Sequence, residues 1–254
     1  MSLYVTLRQE AAYGVVAVQF LTRLPVPTLH SFKASWLNQS AAYFPLVGLI
    51  VGGISAAFWF AAIAIWPWPI PAILAITAGI AVTGAFHEDG LADTADGLGG
   101  GQSPAQRLEI MKDSRLGTYG GLALLVMLSL KVAALSMFSP IDGALALLAA
   151  HMGARAVPVV ASRFMPYAGD LTSGKVAPIT PSLDRMGFAL LCGLAPFLLI
   201  PLVPAGIALV AASTAAAGLL GKAKRLIGGQ TGDVLGAAEQ TFEMVVLLAL
   251  AGFA

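Results

Sequence analysis

The densest group of reactive side chains is an acidic segment near residue 90. Residues 86–97 read FHEDGLADTADG, and the chain places four of its 13 acidic residues within 88–96. Asp89, Asp93 and Asp96 are spaced i, i+4, i+7, which puts three carboxylates on one face of a helix. Such like charges repel unless a cation lies among them. Carboxylate oxygens suit Mg²⁺, which usually combines a few carboxylates with substrate phosphates and water.

We therefore interpret Asp89, Asp93 and Asp96 as metal ligands and catalytic residues. The alternative is a solvated acidic loop that caps a membrane helix. A purely structural role would not require three carboxylates on one helical face in a chain with so few charges.

A second polar segment follows at residues 110–120, IMKDSRLGTYG. Asp113 could add a ligand, and Asp113 or Glu88 could accept a proton as general base. Lys112 and Arg115 could hold phosphate oxygens, the arginine in a forked geometry. The alternative is ordinary charge beside a membrane, followed by a turn that starts a helix.

A third polar segment, residues 226–239, reads LIGGQTGDVLGAAE. Its paired glycines, Thr231 and Asp233 favour a loop that contacts phosphate or ribose, with a flexible connector as the alternative. It is not a P-loop, because no Gly-Lys-Ser/Thr follows the glycines. Lys131 and Arg155 lie inside apolar runs, where an unpaired charge is costly. They either form structural pairs with carboxylates or bind an anionic substrate.

The elements that position these residues are long apolar runs. Hydrophobic residues make up 58% of the 254 residues and charged residues 11%, against about 25% in a soluble domain. A spanning helix needs about 20 apolar residues, and the runs predict an all-α, polytopic transmembrane helix bundle of about seven spans. These are 41–66, 70–86, 120–138, 141–164, 186–203, 205–221 and 242–254. Residues 11–21 predict an interfacial or re-entrant helix, with an eighth span as the alternative.

The basic residues predict the orientation of these spans. Twelve of the 14 lysines and arginines fall before span one or in every second loop after it, and the other two lie inside spans. The twelve are Arg8, Arg23, Lys33, Arg107, Lys112, Arg115, Arg163, Lys175, Arg185, Lys222, Lys224 and Arg225. That side is therefore predicted to be cytoplasmic. Residues 1–254 are predicted to form a single integral membrane domain, with 87–119 as a cytoplasmic acidic motif segment.

Composition also limits the partners. The formal net charge of +1 offers no basic patch for nucleic acid, so no nucleic-acid partner is expected. The expected partners are small-molecule substrates and membrane lipid, with further copies of the chain in the case of a homo-oligomer. Cys192, the one cysteine, cannot form an internal disulfide.

Five segments carry a resemblance to a known family. They are residues 20–27 (FLTRLPVP), 43–48 (YFPLVG), 87–97 (HEDGLADTADG), 112–120 (KDSRLGTYG) and 228–237 (GGQTGDVLGA). Together they resemble the cobalamin synthases, which are adenosylcobinamide-GDP ribazoletransferases. The matches occur in order and cover nearly the whole chain.

This resemblance implies a bacterial or archaeal inner-membrane enzyme that depends on Mg²⁺. It would join adenosylcobinamide-GDP to α-ribazole, or to its 5′-phosphate, and release GMP. The family's acidic stretch maps onto Asp89, Asp93 and Asp96, and its second motif onto Asp113 and Arg115.

Rival functions come from other classes. Residues 93–97, DTADG, match the opening of the CDP-alcohol phosphotransferase signature, but the rest of that signature is missing. A transporter or channel also needs intramembrane charge, yet its acids usually lie at the membrane midplane. A membrane scaffold is the third alternative.

Overall fold

The computed structural model describes residues 3–27, 33, 35–169 and 178–254. In these ranges the regular elements are helices, as the sequence predicts. The α-helices are α1 Leu3–Leu21, α2 Trp36–Ser40, α3 Phe44–Ile63, α4 Ile70–Thr83, α5 Phe86–Gly100, α6 Pro104–Lys112, α7 Thr118–Leu135, α8 Pro140–Phe164, α9 Leu183–Leu194, α10 Leu202–Ile227 and α11 Gly232–Ala251. Short 3₁₀ helices cover Ala41–Tyr43 and Ala195–Leu199. Lys175, used above to predict the orientation, lies outside the described residues.

Among the described residues, five helical stretches are long and apolar enough to cross a membrane, and a sixth if α4 and α5 count as one broken span. The five are Trp36–Ile63, Thr118–Leu135, Pro140–Phe164, Leu202–Ile227 and Gly232–Ala251. The polytopic helical class is confirmed, and the described residues hold five or six candidate spans where about seven were predicted.

Two of the predicted spans are interrupted for local reasons. The helix predicted over 70–86 ends at Thr83, where Gly84 (φ 68°) and Ala85 (φ 59°) adopt left-handed backbone conformations. The chain then turns by 90° into α5. The span predicted over 186–203 is split, because α9 ends at Leu194 and Pro196 lies in the following 3₁₀ helix. Proline lacks an N–H and disfavours helical geometry in the residue before it.

The last span starts earlier than predicted. Helix α11 begins at Gly232 and runs for 20 residues, so the apolar run from 242 is only its second half. Its first half carries Glu239 and Gln240, which are buried in the bundle. The predicted span omitted them because it followed an uninterrupted apolar run, although the whole helix is apolar enough to cross a membrane.

Helix α1 does not meet the length and hydropathy criteria for a span, so the eighth-span alternative gains no support. It packs on α2 and α3. Its Glu10 carboxylate receives two hydrogen bonds from Arg185 of α9, at 2.6 and 2.7 Å. The bidentate pair connects α1 to α9, which are far apart in the sequence.

Helix α8 forms the centre of the bundle, packing on α3, α9 and α11. Glycines let the backbones approach: a Cβ at Gly48 of α3 would lie 2.5 Å from the His151 carbonyl oxygen of α8. Trp59 of α3 donates from Nε1 to the Pro140 carbonyl at 2.9 Å. Close approach of this kind is typical of membrane helix pairs.

Candidate active site

The acidic helix α5 is held in place by close contact with α11. A Cβ at Gly90 would lie 2.8 Å from the Asp233 carbonyl oxygen, and one at Gly236 would lie 3.4 Å from the His87 Cα. At Gly90 only a residue without a side chain lets the two backbones approach so closely. The contact brings Asp233 of the third polar segment beside the acidic face of α5.

Four carboxylates meet on this surface, which we call the acidic face: Asp89, Asp93, Asp96 and Asp233. Asp89 is exposed, Asp93 and Asp233 are half-buried and Asp96 is buried. Asp93 is within electrostatic reach of the other three, each of which opposes its negative charge. Two segments that are far apart in the sequence thus contribute to one cluster of like charges.

Asp96 also accepts hydrogen bonds from the backbone. Its Oδ2 accepts a hydrogen bond from the Gly117 amide at 2.8 Å, and its Oδ1 accepts one from the Gly120 amide at 2.9 Å. These amides belong to the first turn of α7, whose orphan N–H groups need acceptors. A Cβ at Gly117 or Gly120 would lie 2.4 Å from an Asp96 oxygen. Asp96 therefore anchors the glycines of the second polar segment to the acidic helix.

The acidic face fits Mg²⁺ only if the substrate supplies some of the metal ligands. Within the described ranges, no three Asp, Glu, His or Cys side chains are arranged to hold a metal ion by themselves. Mg²⁺, however, is commonly bound through one or two carboxylates together with phosphate oxygens and water. The all-carboxylate donor set and its mutual repulsion at Asp93 suit an ion that arrives with a phosphate-bearing substrate. Metal binding by Asp89, Asp93 and Asp96 stays a prediction.

The other predicted residues of the second segment are turned outward. Arg115 Nη2 lies 2.6 Å from Asp113 Oδ2, and 88% of the arginine side chain is exposed. Hydrogen bonds from Arg115 lower the pKa of Asp113, which makes this carboxylate a weaker base. Lys112 is also exposed. Arg115 and Lys112 are accessible to an anion, whereas Asp113 is less suited than Glu88 to accept a proton.

Behind the acidic face lies a buried polar cluster drawn from four helices. We call it the buried network; its members, each at most 9% exposed, are His87, Glu88, Lys131, His151, Arg155, Glu239, Gln240 and Glu243. Lys131 Nζ lies 2.7 Å from Glu243 Oε1 and donates to Gln240 Oε1 at 2.6 Å. Arg155 Nη1 lies 3.5 Å from Glu239 Oε1.

Histidines complete the buried network. His151 Nδ1 lies 3.0 Å from Glu243 Oε2, and His87 Nε2 lies 3.1 Å from Glu239 Oε2. Lys131 and Arg155 thus occupy structural pairs, the alternative left open above. Their predicted contact with substrate stays a prediction.

Comparison with known proteins identifies the family. The family described as cobalamin-5-phosphate synthase matches residues 14–251. This chain belongs to that family. An adenosylcobinamide-GDP ribazoletransferase of Leptothrix cholodnii is 41% identical over 249 residues, covering 94% of each chain. Relatives with the same name from Shewanella pealeana (41% over 252 residues, 96% of each chain) and Vibrio cholerae (38% over 251 residues, 97% of this chain and 96% of the relative) are similar. No solved structure matches this one.

For this member of the cobalamin-5-phosphate synthase family, the three polar segments predicted from the sequence converge around α5. The residues that the sequence reasoning missed are Glu239, Gln240 and Glu243. A signal for them existed: the 239/243 pair has i, i+4 spacing on one helix, as does His151 with Arg155 on another. Acidic and basic residues at the same helical spacing in apolar surroundings indicate that they form ion pairs. The spacing does not indicate which helices contribute the two partners.

Proposed function

We propose that this chain is a Mg²⁺-dependent adenosylcobinamide-GDP ribazoletransferase. It would join adenosylcobinamide-GDP to α-ribazole or its 5′-phosphate, giving adenosylcobalamin or its 5′-phosphate plus GMP. The observation that carries the proposal is the convergence of Asp89, Asp93 and Asp233 from two helices onto one acidic face. Such a face repels an anionic pyrophosphate unless a divalent cation accompanies the substrate.

The reaction is a displacement at phosphorus. A ribose hydroxyl of the acceptor attacks the phosphorus nearer the cobinamide, a new P–O bond forms, and the bond to the leaving GMP breaks. When bound, Mg²⁺ supplies charge neutralisation on the pyrophosphate and the leaving group. Asp89 and Asp93 would hold it, and Asp233 and Asp96 would complete the negative surroundings.

The hydroxyl proton needs an acceptor near the acidic face. Glu88 precedes Asp89 on α5, and its Oε2 is buried without a hydrogen-bond partner among the described residues. It is therefore the better general base of the two that the sequence suggested. Arg115 and Lys112, both exposed, would bind phosphate oxygens of the donor, and Thr231 would position the nucleotide or the riboside.

We also propose the location in the cell. The basic loops would face the cytoplasm of a bacterial or archaeal inner membrane, so that α5 lies at the cytoplasmic boundary. Water-soluble substrates would then reach the acidic face from the cytoplasm.

The test is GMP release from adenosylcobinamide-GDP by purified protein in detergent. We expect release only when both Mg²⁺ and α-ribazole, or its phosphate, are present. Release of CMP from CDP-diacylglycerol instead would identify a phospholipid-making enzyme. Solute flux in liposomes with no group transfer would identify a transporter.

A further inference from the structure

A cavity of about 160 Å³ lies beside the acidic face and takes no part in the mechanism above. We propose that it binds the planar aromatic base of the riboside acceptor. The inference rests on the proposed function and assigns a site to the second substrate. Its lining residues are Phe20, Leu21, Leu37, Phe44, Phe86, His87, Pro158, Val159, Ser162, Tyr167, Pro178, Ile179, Gln230, Gly232, Leu235, Gly236 and Glu239.

The size of the cavity suits a ring. An apolar cavity of about 150 Å³ accepts benzene, whereas one water needs only about 10–15 Å³. The interior of the buried network, by contrast, leaves about 10 Å³ between Lys131, His151 and Glu243. Of these two cavities beside α5, only the larger one can take an aromatic group.

Aromatic side chains border the cavity. The Phe20 ring stacks on Phe44, with centroids 5.8 Å apart and planes 15° apart, and it meets Phe86 edge-on at 5.6 Å. Stacked and edge-to-face arrangements are the ones that aromatic rings prefer. A flat heterocycle can extend this group of rings.

Buried polar side chains also line the cavity. His87 Nε2 lies 3.1 Å from Glu239 Oε2, and both side chains are at most 3% exposed. An azole base linked to ribose through one nitrogen keeps a single second nitrogen as its polar edge. One polar edge matches this mostly apolar lining.

Guanine fits the same cavity poorly. Its edge carries several donors and acceptors, and an apolar wall would leave most of them unpaired, which is unfavourable for buried polar groups. The lining therefore favours the base of the acceptor over that of the GDP donor.

The position of the cavity agrees with this assignment. Gly232 and Gly236 line it from α11, and Phe86 and His87 line it from α5. Asp233 of the acidic face directly follows Gly232, and its backbone contacts Gly90 of α5. A base in the cavity would place its attached ribose at the border with the acidic face, where the hydroxyl must react.

Two adjacent valines of α8 provide a matched test. Val159 lines this cavity, and Val160 lines a separate apolar cavity of about 470 Å³. We expect Val159→Phe to raise the KM for α-ribazole at least ~10-fold, the size of effect that a misfitted apolar pocket produces. The KM for adenosylcobinamide-GDP should change less than about twofold, because the donor does not enter this cavity. Val160→Phe should leave both values unchanged.

A smaller acceptor sharpens the test. We expect Val159→Phe to reduce kcat/KM less for the α-riboside of unsubstituted imidazole than for α-ribazole. The preference between the two acceptors should therefore shift toward the imidazole riboside. If Val159→Phe fails to fold, Leu235→Phe changes the same cavity from a half-buried position and carries the same expectation.

The inference is overturned if the acceptor KM is unchanged in a folded variant, or if the donor KM rises instead. It is equally overturned if Val160→Phe reproduces the change. Failure of the proposed function gives a different result: the wild-type protein itself would release no GMP with α-ribazole. An active wild type with insensitive variants removes only the cavity assignment.

Discussion

The acidic face and the buried network both include residues of α5, yet their charges are arranged in opposite ways. On the acidic face, Asp93 meets the negative charges of Asp89, Asp96 and Asp233. In the buried network, Lys131 and Arg155 each lie within 3.5 Å of a glutamate oxygen. One region concentrates a single sign of charge at the edge of the bundle, and the other balances both signs inside it.

This difference separates two kinds of polar residue in a membrane protein. Charges that the protein balances itself can serve the fold, since their partners are permanent. Like charges held together by packed glycines keep a repulsion that an external cation can relieve. The comparison therefore assigns recognition of the metal and phosphate to the acidic face and positioning of α5, α7, α8 and α11 to the paired members of the buried network, which do not include Glu88.

The largest expected effect is on stability, from breaking one pair of the buried network. Glu243→Leu leaves Lys131 and His151 without their carboxylate, and we expect it to lower the free energy of unfolding by about 3–5 kcal/mol. The double variant with Lys131→Met should recover most of that loss, because no cation remains unpaired. Reversible unfolding in mixed micelles measures both. A single variant as stable as wild type would show that the network is not structural.

Substitutions on the acidic face should chiefly lower the turnover number rather than the stability. We expect Asp89→Asn, Asp93→Asn and Asp96→Asn each to reduce kcat at least ~100-fold, the typical cost of losing a key transition-state contact. Asp89→Asn and Asp93→Asn should not lower the free energy of unfolding, since they relieve repulsion. Asp96→Asn should also destabilise by about 1–3 kcal/mol, because the amides of Gly117 and Gly120 lose a carboxylate acceptor. Near-normal turnover in all three variants would remove the metal-site hypothesis.

Arg115 tests whether the rim of the acidic face meets the donor. We expect Arg115→Ala to raise the KM for adenosylcobinamide-GDP about tenfold, equivalent to one charge-assisted hydrogen bond. Its exposure predicts no change in the unfolding transition. Arg163→Ala, another exposed arginine, is the control and should leave KM unchanged. A shared KM increase in both variants would indicate a general charge effect.

The smallest expected effect is at the Glu10–Arg185 pair. This pair is partly buried, so its exposure is intermediate between that of the acidic face and that of the buried network. Hydrogen bonding to Arg185 lowers the pKa of Glu10 from its ordinary 4.5. Its stabilisation is therefore complete above that ordinary pKa and is lost as pH falls through the lowered one. Glu10→Gln should cost about 1 kcal/mol at neutral pH, measured by unfolding.

Repeating that measurement in acid provides the control. The difference between wild type and Glu10→Gln should disappear once Glu10 is protonated in both the folded and unfolded states. A difference that grows on acidification would contradict the assignment.

Helical periodicity in the sequence predicted the most useful feature of the site. The i, i+4, i+7 spacing of Asp89, Asp93 and Asp96 requires only a helix, and Phe86–Gly100 is helical. The predicted span boundaries differ from the observed helices because hydropathy averages composition and does not detect a bend. Gly84 and Ala85 turn the chain by 90° within one predicted span.

The pairing of distant charges could not be predicted in the same way. Lys131 and Glu243 are 112 residues apart in sequence, and nothing local relates them. Cations inside apolar runs predict carboxylate partners in general. Which carboxylate pairs with which cation depends on the helices that pack together.

By itself, the sequence determined the membrane character, the helical class and the acidic face of α5, because each depends on composition or on spacing within one turn or two. Tertiary structure alone decided that Asp233 joins Asp93, that Asp96 holds the Gly117 and Gly120 amides, and that Glu239 and Glu243 balance the buried cations. The first of these outcomes depends on the contact at Gly90, where the missing side chain lets two backbones meet, and the second depends on the close approach at Gly117 and Gly120.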